Sequence, residues 1–484
     1  MTMIVRDRLY LGGTWTAPSG DALLDLHSPH DQRLIGRAAQ ALPADVDRAV
    51  AAARAAFDDG PWPRTDPKER QDVIARFNEL REAHADDIAR LITQERGNPR
   101  WFNTAGQQGL RRQALAYLKA AREFGWEEVL EPSVADVPFQ SVLRREPAGV
   151  VAAVIPWNSP FSAALAKVIP ALLAGCTVVL KVSPENSLSM MLLADLFDEV
   201  GLPEGVLSIL PADRETSEYL VAHPGIDKIA FTGSTRAGRS IASVAGGQLK
   251  RVSLELGGKS AVIILPDADL ETAVPALKYS SLANNGEACI AQTRVLAPRS
   301  RYEEVVTALK DLLEGLKVGD PSQEDTFIGP LVRADQQERV RAYIRLGVEE
   351  GARLVTGGPE SPEGLEQGNY VKPTLFADVD NSMRIAQEEI FGPVLVVIPY
   401  DDEDDAVRIA NDSEYGLSGG VWTADAARGL SVARRVRTGT FTVNGAPISF
   451  DGPFGGFKHS GTGREYGAVG LGEYVELKTI TVPA

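Results

Sequence analysis

Residues 149–182 read GVVAAVIPWNSPFSAALAKVIPALLAGCTVVLKV, and this stretch decides the fold. GVVAAVI (149–155) is apolar throughout and rich in valine, which predicts a strand buried on both faces. An Ala/Leu-rich segment of helical length follows at 161–174, and CTVVLKV (176–182) reads as a second buried strand. Two such strands joined by a helix make a parallel βαβ unit. The alternation continues with a helix over 188–200 and strands at VLSIL (206–210) and KIAFTG (228–233). A second series of strands is predicted at SAVIIL (260–265), RVLAP (294–298), PVLVVIPY (393–400), GGVWT (419–423) and GTFTVN (439–444). Helical patterns near 301–315, 335–351, 403–411 and 425–437 separate several of them.

The fold class expected is therefore α/β, with two doubly wound domains meeting near LELGGKS (254–260), where Gly257 and Gly258 are expected to let the backbone turn tightly between them. The first 120 residues read as mainly helical after an initial strand and turn, with sustained helical periodicity over 66–95. TGGPESPEGLEQGNY (356–370) is expected to be an exposed loop.

The chain has 484 residues, of which 44% are hydrophobic and 24% charged, a globular balance that allows large cores. A formal net charge of −16 and no basic patch argue against nucleic acid and anionic membranes as partners. No apolar run is long enough to span a bilayer, and the first residues lack a secretory pattern. With two cysteines only, Cys176 and Cys289, a reduced cytoplasmic location is expected. His27 and His30 have no visible third ligand, so no metal site is expected.

Several motifs compete for the chemistry. GGKS (257–260) imitates the end of a phosphate loop, but that loop needs a glycine where Ser253 stands, and Glu255 would repel phosphate. Gly461, Gly463 and Gly467 miss the dinucleotide spacing by one residue and read as a loop of permissive backbone. In FTGSTRAG (231–238) a strand ends at Gly233 and Ser234 can cap a helix, a junction that is either structural or a pyrophosphate site. Cys176 lies in an apolar run and reads as core. Cys289 lies in NNGEACIAQ, a polar loop, and is either an inert thiol or a nucleophile. DDEDD (401–405) reads as a solvated helix start.

PWNSP (156–160), LELGGKS (254–260), NNGEACIA (284–291), EEIFGPV (388–394), PFGGFKHSGTGRE (453–465) and YVELKTI (474–480) together resemble the signature segments of the aldehyde dehydrogenase superfamily. The resemblance runs from about residue 10 to the end and implies NAD(P)-dependent oxidation of an aldehyde to a carboxylic acid. It implies that Cys289 is the nucleophile, Asn158 the side-chain oxyanion donor and Glu255 the base that activates water against the thioester. Lys167 and Glu465 align with further positions of the active site. For the cofactor it implies Ile155, Pro156, Trp157, Lys181, Ser183, Gly233, Ser234, Gly257, Glu389 and Phe391, and for the substrate tunnel Ser159, Ala166, Ile290 and Phe454.

It also implies a cofactor-binding domain at 1–124 and 148–256 with a Rossmann-like sheet, and a catalytic domain at 257–457. Residues 125–147 and 471–484 correspond to a small β element that builds homodimers or homotetramers.

Three positions depart from the family pattern. Pro184 stands where NAD-preferring relatives carry a ribose-binding Glu, with Glu185 one step later, so NAD is expected and NADP is possible. Glu287 replaces a common Gln and is expected to add negative charge near the thiolate. Small residues at Ser159 and Ala166 imply a roomy tunnel for a medium-sized or bulky apolar aldehyde. The rivals are a CoA-acylating relative, against which Glu255 argues, and a non-catalytic binding protein on the same fold.

Overall fold

The computed structural model describes residues 3–134 and 138–483; positions 1, 2, 135–137 and 484, which belong to the cofactor-domain and oligomerisation ranges given above, lie outside the described residues. The fold is α/β and rests on three sheets of different character, with a fourth small sheet at the N-terminus. The strand Val150–Val154 lies at the centre of the largest and is buried at every position. Its side chains alternate between two cores. Val151 and Ala153 pack with helices on one face, and Val150, Ala152 and Val154 with helices on the other. Each fully buried valine contributes roughly 1.5–3 kcal/mol, so this strand anchors both layers.

Val150–Val154 pairs in parallel with Thr177–Val182 on one side and Lys228–Thr232 on the other. Leu207–Pro211 extends the first side and Arg251–Glu255 the second. The chain thus runs outward in one direction, returns, and runs outward in the other. Such a reversal leaves a crevice at the carboxyl ends of the central strands. Pro160–Ala174 crosses between the first two strands. Proline at its first turn and Gly175 at φ +91° just past its end set its limits, as helix-end preferences require.

The second sheet holds seven strands, all parallel except Arg353–Thr356 at one edge. Its central strands Ala261–Ile264, Arg294–Pro298 and Val394–Tyr400 also feed two cores, one on each face. A third, antiparallel sheet joins Glu127–Leu130, Phe139–Pro147 and Val475–Pro483.

Two expectations need correction. The N-terminal region is not introduced by one strand: Ile4–Arg6, Leu9–Leu11, Thr14–Thr16, Leu23–His27 and Leu34–Ala39 all precede the first helix. Runs of three to six residues are too short for an alternating pattern to stand out, and pairing with distant partners stabilises them, as where Tyr10 meets Ile209. Nor do Gly257 and Gly258 serve a tight turn, since neither has a left-handed φ. They are glycines because other groups come close. A Cβ on Gly257 would lie 2.4 Å from Glu389 Oε2, and one on Gly258 2.5 Å from the Cys289 carbonyl oxygen. The C-terminal glycines do need permissive backbone, with φ of +134°, +79° and +58° at Gly461, Gly463 and Gly467.

DDEDD caps its helix as expected, with the Asp402 carboxylate accepting the Asp405 N–H. Cys176 is fully buried, and its thiol donates to the Tyr474 carbonyl. Among the described residues no helix is long and apolar enough to cross a membrane.

Candidate active site

The carboxyl ends of the first sheet's strands meet segments that lead into strands of the second. From the first come Asn158, after Val150–Val154, and Glu255, which ends Arg251–Glu255. From the second come Cys289, ahead of Arg294–Pro298, and Leu417 and Ser418, ahead of Gly419–Trp422. All five line one cavity of about 650 Å³, whose wall is largely apolar.

The loop carrying Cys289 is held in an unusual shape. Asn284, Asn285 and Gly286 have φ of +58°, +59° and +72°, three left-handed residues in a row. Asparagine tolerates this region better than most side chains, yet two in succession need external support. Asn284 Nδ2 donates to the carbonyls of Asn158 and Glu287 at 3.0 and 2.9 Å. Asn285 Nδ2 donates to those of Gly97 and Pro330, while its Oδ1 accepts the Gly329 N–H at 2.7 Å. The NNG triplet is itself a left-handed turn signal, and reading it as one would have marked the loop as a rigid mount.

Asn158 Nδ2 donates to the Glu287 carbonyl at 3.0 Å, which leaves its second hydrogen for an atom in the cavity. Cys289 faces this cavity rather than bulk water. Burial is the main cause that pushes its thiol up to about 12, helped by the negative charges of Glu389 and Glu255. In the ligand-free protein, alkylation by iodoacetamide at Cys289 should therefore rise about tenfold per pH unit from pH 7 to 10 without levelling, whereas an ordinary thiol of pKa about 8.5 levels off near pH 9. Peptide mass spectrometry would measure this, and a plateau near pH 8.5 would contradict a thiol desolvated within the cavity.

Glu255 is buried, and neither carboxyl oxygen has a hydrogen-bond partner. Its flanking residues, Leu254 and Leu256, pack into the core, and a Cβ on Gly455 would lie 2.6 Å from Oε1. Desolvation first, and then the charge of Glu465, raise its pKa well above the usual carboxylate range, while Lys167 and Arg464 oppose the rise. Lys167 Nζ donates to Thr232 Oγ1 at 2.6 Å and forms an ion pair with Glu465. Reciprocal backbone hydrogen bonds of 2.7 Å tie Glu465 to Phe454.

The residues expected to hold a cofactor gather along the same sheet edge. Ile155, Pro156 and Trp157 follow one strand, Lys181 lies near the end of its neighbour and Ser183 just past it, and Gly233 and Ser234 follow the next on the other side. Gly257 follows Arg251–Glu255, the strand beyond. Ser234 caps Thr235–Gly247 by accepting the Ala237 N–H at 3.3 Å, and it is the N-terminus of this helix that faces outward. Lys181 is buried, which lowers its ammonium to about 8 against the pull of Glu185 and Asp213. Glu185 pairs with Arg333 and accepts the Ser183 hydroxyl. From the second sheet, Glu389 Oε1 accepts the Gly258 N–H at 3.0 Å, and the Phe391 ring meets Trp157 edge-on with centroids 5.3 Å apart.

Ser159, Ile290 and Phe454 line the cavity, but Ala166 does not. It lies deeper along Pro160–Ala174, inside the core, with its carbonyl bonded by the Tyr117 hydroxyl. Ser162 and Ala163 supply the small side chains at the wall instead. The expectation for Glu287 also fails. Its carboxyl turns from the thiol toward the fully buried Arg96, at 3.4 Å, and the Val332 N–H. Burial raises it to about 8 against Arg96, and it is not among the charges that act on Cys289. Arg96 also stands over the Trp157 ring at 5.4 Å, a contact with no signal in the sequence.

Comparison with known proteins agrees with this geometry. The family model described as aldehyde dehydrogenase family matches residues 15–480. Geranial dehydrogenase of Castellaniella defragrans is 43% identical over 479 residues, covering 99% of both chains. The solved Mycobacterium tuberculosis aldehyde dehydrogenase complexed with NAD+ superposes with a TM-score of 0.97 at 46% identity, covering 100% of this chain and 99% of that one. A mutant of aldehyde dehydrogenase C from Pseudomonas syringae, complexed with NAD+ and octanal, gives a TM-score of 0.92 at 42% identity, covering 98% and 96%.

Proposed function

The chain belongs to the aldehyde dehydrogenase family, and from that premise we propose that it oxidises a medium-sized or bulky apolar aldehyde to the carboxylic acid through a thioester on Cys289. The observation that carries this reading is the convergence of Cys289, Asn158 and Glu255 on one largely apolar cavity of about 650 Å³.

The Cys289 thiol gives its proton to solvent as Sγ adds to the aldehyde carbon, and the resulting oxyanion is met by the free hydrogen of Asn158 Nδ2 and the backbone N–H of Cys289. A nicotinamide dinucleotide held by Lys181, Ser234 and Glu389 would supply the hydride acceptor, and so the two-electron oxidation, that turns this adduct into a thioester. Glu255 then takes a proton from water, and the hydroxide released attacks the thioester carbon and frees Cys289. Lys167 and Glu465 set the charge around Glu255.

The residues present fit a dinucleotide. The outward N-terminus of Thr235–Gly247 suits a pyrophosphate, Lys181 offers a buried cation, and the missing side chain at Gly257 leaves the Glu389 carboxylate room. Ile155, Pro156, Trp157, Ser183, Gly233, Ser234 and Phe391 complete the set. NAD is expected to give the higher kcat/KM, because a 2′-phosphate near Lys181 would meet the Glu185 carboxylate. Residues 1–124 and 148–256 are read as the cofactor-binding unit, 257–457 as the catalytic unit, and 125–147 with 471–484 as the element that joins copies into a cytoplasmic homodimer or homotetramer. The exposed apolar side chains Val129, Phe139 and Leu477 on that element support the last assignment.

The test is a panel of octanal, geranial and benzaldehyde with NAD or NADP and no CoA, following reduced nicotinamide and acid product together. Stoichiometric acid without CoA is the expected result. Absence of turnover with every aldehyde, or a strict need for CoA, would overturn the reading.

A further inference from the structure

A side chamber of about 240 Å³ opens off the cavity against the helix Arg100–Arg122. The two spaces share Phe102, Gly109, Asn158, Ser159, Ser162 and Phe450. Asn158 and Ser159 are common to both, so the chamber joins the cavity along the segment that carries Asn158.

The helix is thinned on this side. Gly106 and Gly109 lie one turn apart in its interior, and a Cβ on either would meet nothing within 4 Å. Neither has a left-handed φ. Glycine weakens a helix interior, and here neither backbone conformation nor a close neighbour calls for it. Gly106 is exposed and Gly109 half-buried, so the chamber is open to solvent past the bare backbone of this helix.

The lining also includes a residue with an unpartnered polar atom. Asn98 is 1% exposed and lines the chamber. Its Nδ2 donates to Asn103 Oδ1 at 3.0 Å and Asn284 Oδ1 at 2.8 Å, and two acceptors on that side fix which way the amide points. Its Oδ1 has no hydrogen-bond partner. A buried carbonyl oxygen is stabilised only when a donor reaches it.

We propose that this chamber is a second substrate subsite, which takes a branch carried on the carbon next to the aldehyde. Ile92, Leu110 and Phe161 make it apolar along its length, so the branch is apolar too, and it ends in a hydrogen-bond donor that meets Asn98 Oδ1. The proposal rests on the reading of Cys289 as the site of aldehyde oxidation.

Gly106 lines the chamber but not the main cavity, so Gly106→Leu is directed at the chamber alone. The probes are hexanal, 2-phenylhexanal and 2-(4-hydroxyphenyl)hexanal, each with NAD. In the wild type the phenol is expected to exceed the phenyl compound in kcat/KM by about fivefold or more. In Gly106→Leu both branched aldehydes should lose about tenfold or more while hexanal stays within about twofold. Gly106→Ala, whose single methyl leaves most of the chamber open, should keep wild-type activity and melt no lower, which separates filling from damage to the helix. Equal loss on all three aldehydes, or no loss on the branched pair, would overturn the subsite. Equal rates for phenol and phenyl would overturn the contact with Asn98. Failure of the wild type to oxidise even hexanal would instead overturn the proposed reaction.

Discussion

Replacing Cys289 with alanine is expected to lower aldehyde oxidation by at least about 10⁴-fold while NAD binding and the melting temperature stay near wild type. The loss is large because the thiol acts as part of a unit. Asn158 and the Cys289 N–H stabilise an oxyanion that does not form unless Sγ attacks, so their contribution vanishes with the nucleophile. The fold should not suffer, since the loop is held by the side chains of Asn284 and Asn285, not by Cys289. NAD binding should persist, because Lys181, Ser234 and Glu389 sit on other segments. Serine should fail as well, being a weaker nucleophile and a poorer leaving group than the thiol. Cys176→Ala is the control: that thiol is fully buried and its loss leaves the cavity untouched. Steady-state rates with hexanal and calorimetric titration with NAD measure both halves. Turnover of Cys289→Ala within tenfold of wild type would place the nucleophile elsewhere.

The elements that carry this site were legible where local pattern and burial agree. RVLAP (294–298) is a strand from end to end, and the cap at Ser234 and the helix behind it are where the sequence puts them. The resemblance to the family's signature segments likewise marks Cys289, Asn158 and Glu255, which line one cavity in the structure. What escaped depends on which direction a side chain faces after the chain has folded. Glu287 looks like a charge beside the nucleophile in sequence, two residues away, yet its carboxyl turns to Arg96, 191 positions distant. Ala166 has the size expected of a tunnel wall but sits deeper in its helix. Gly257 and Gly258 read as turn residues, though their requirement comes from Glu389 and Cys289 pressing on them.

Glu255→Gln is expected to lower steady-state turnover by about 10²–10⁴-fold and to let the acyl group accumulate on Cys289. The amide has the shape of the carboxyl and fits against Gly455, so attack and oxidation should proceed once per site and then stall. A burst of one reduced nicotinamide per subunit and an intact mass increased by the acyl group are the signatures. The pH dependence should change too. Burial and Glu465 raise the Glu255 carboxyl well above its usual range, so its basic form increases as pH rises from neutrality and wild-type turnover should climb with it. In the variant that titration is gone, and the residual rate should track hydroxide at about tenfold per pH unit. Stability moves the other way with pH. The unfolded chain ionises Glu255 at a lower pH than the folded one, so the stability this group contributes is present below its unfolded pKa and is lost as pH rises toward its folded value. The glutamine variant lacks that loss and should melt higher than wild type in alkaline buffer. Full turnover without acyl accumulation would mean that another group removes the proton from water. Glu465 would then be the candidate, but it already holds the Lys167 ammonium and would have to give up that pair to act. Glu255, with no partner to release, is the carboxylate free to take a proton.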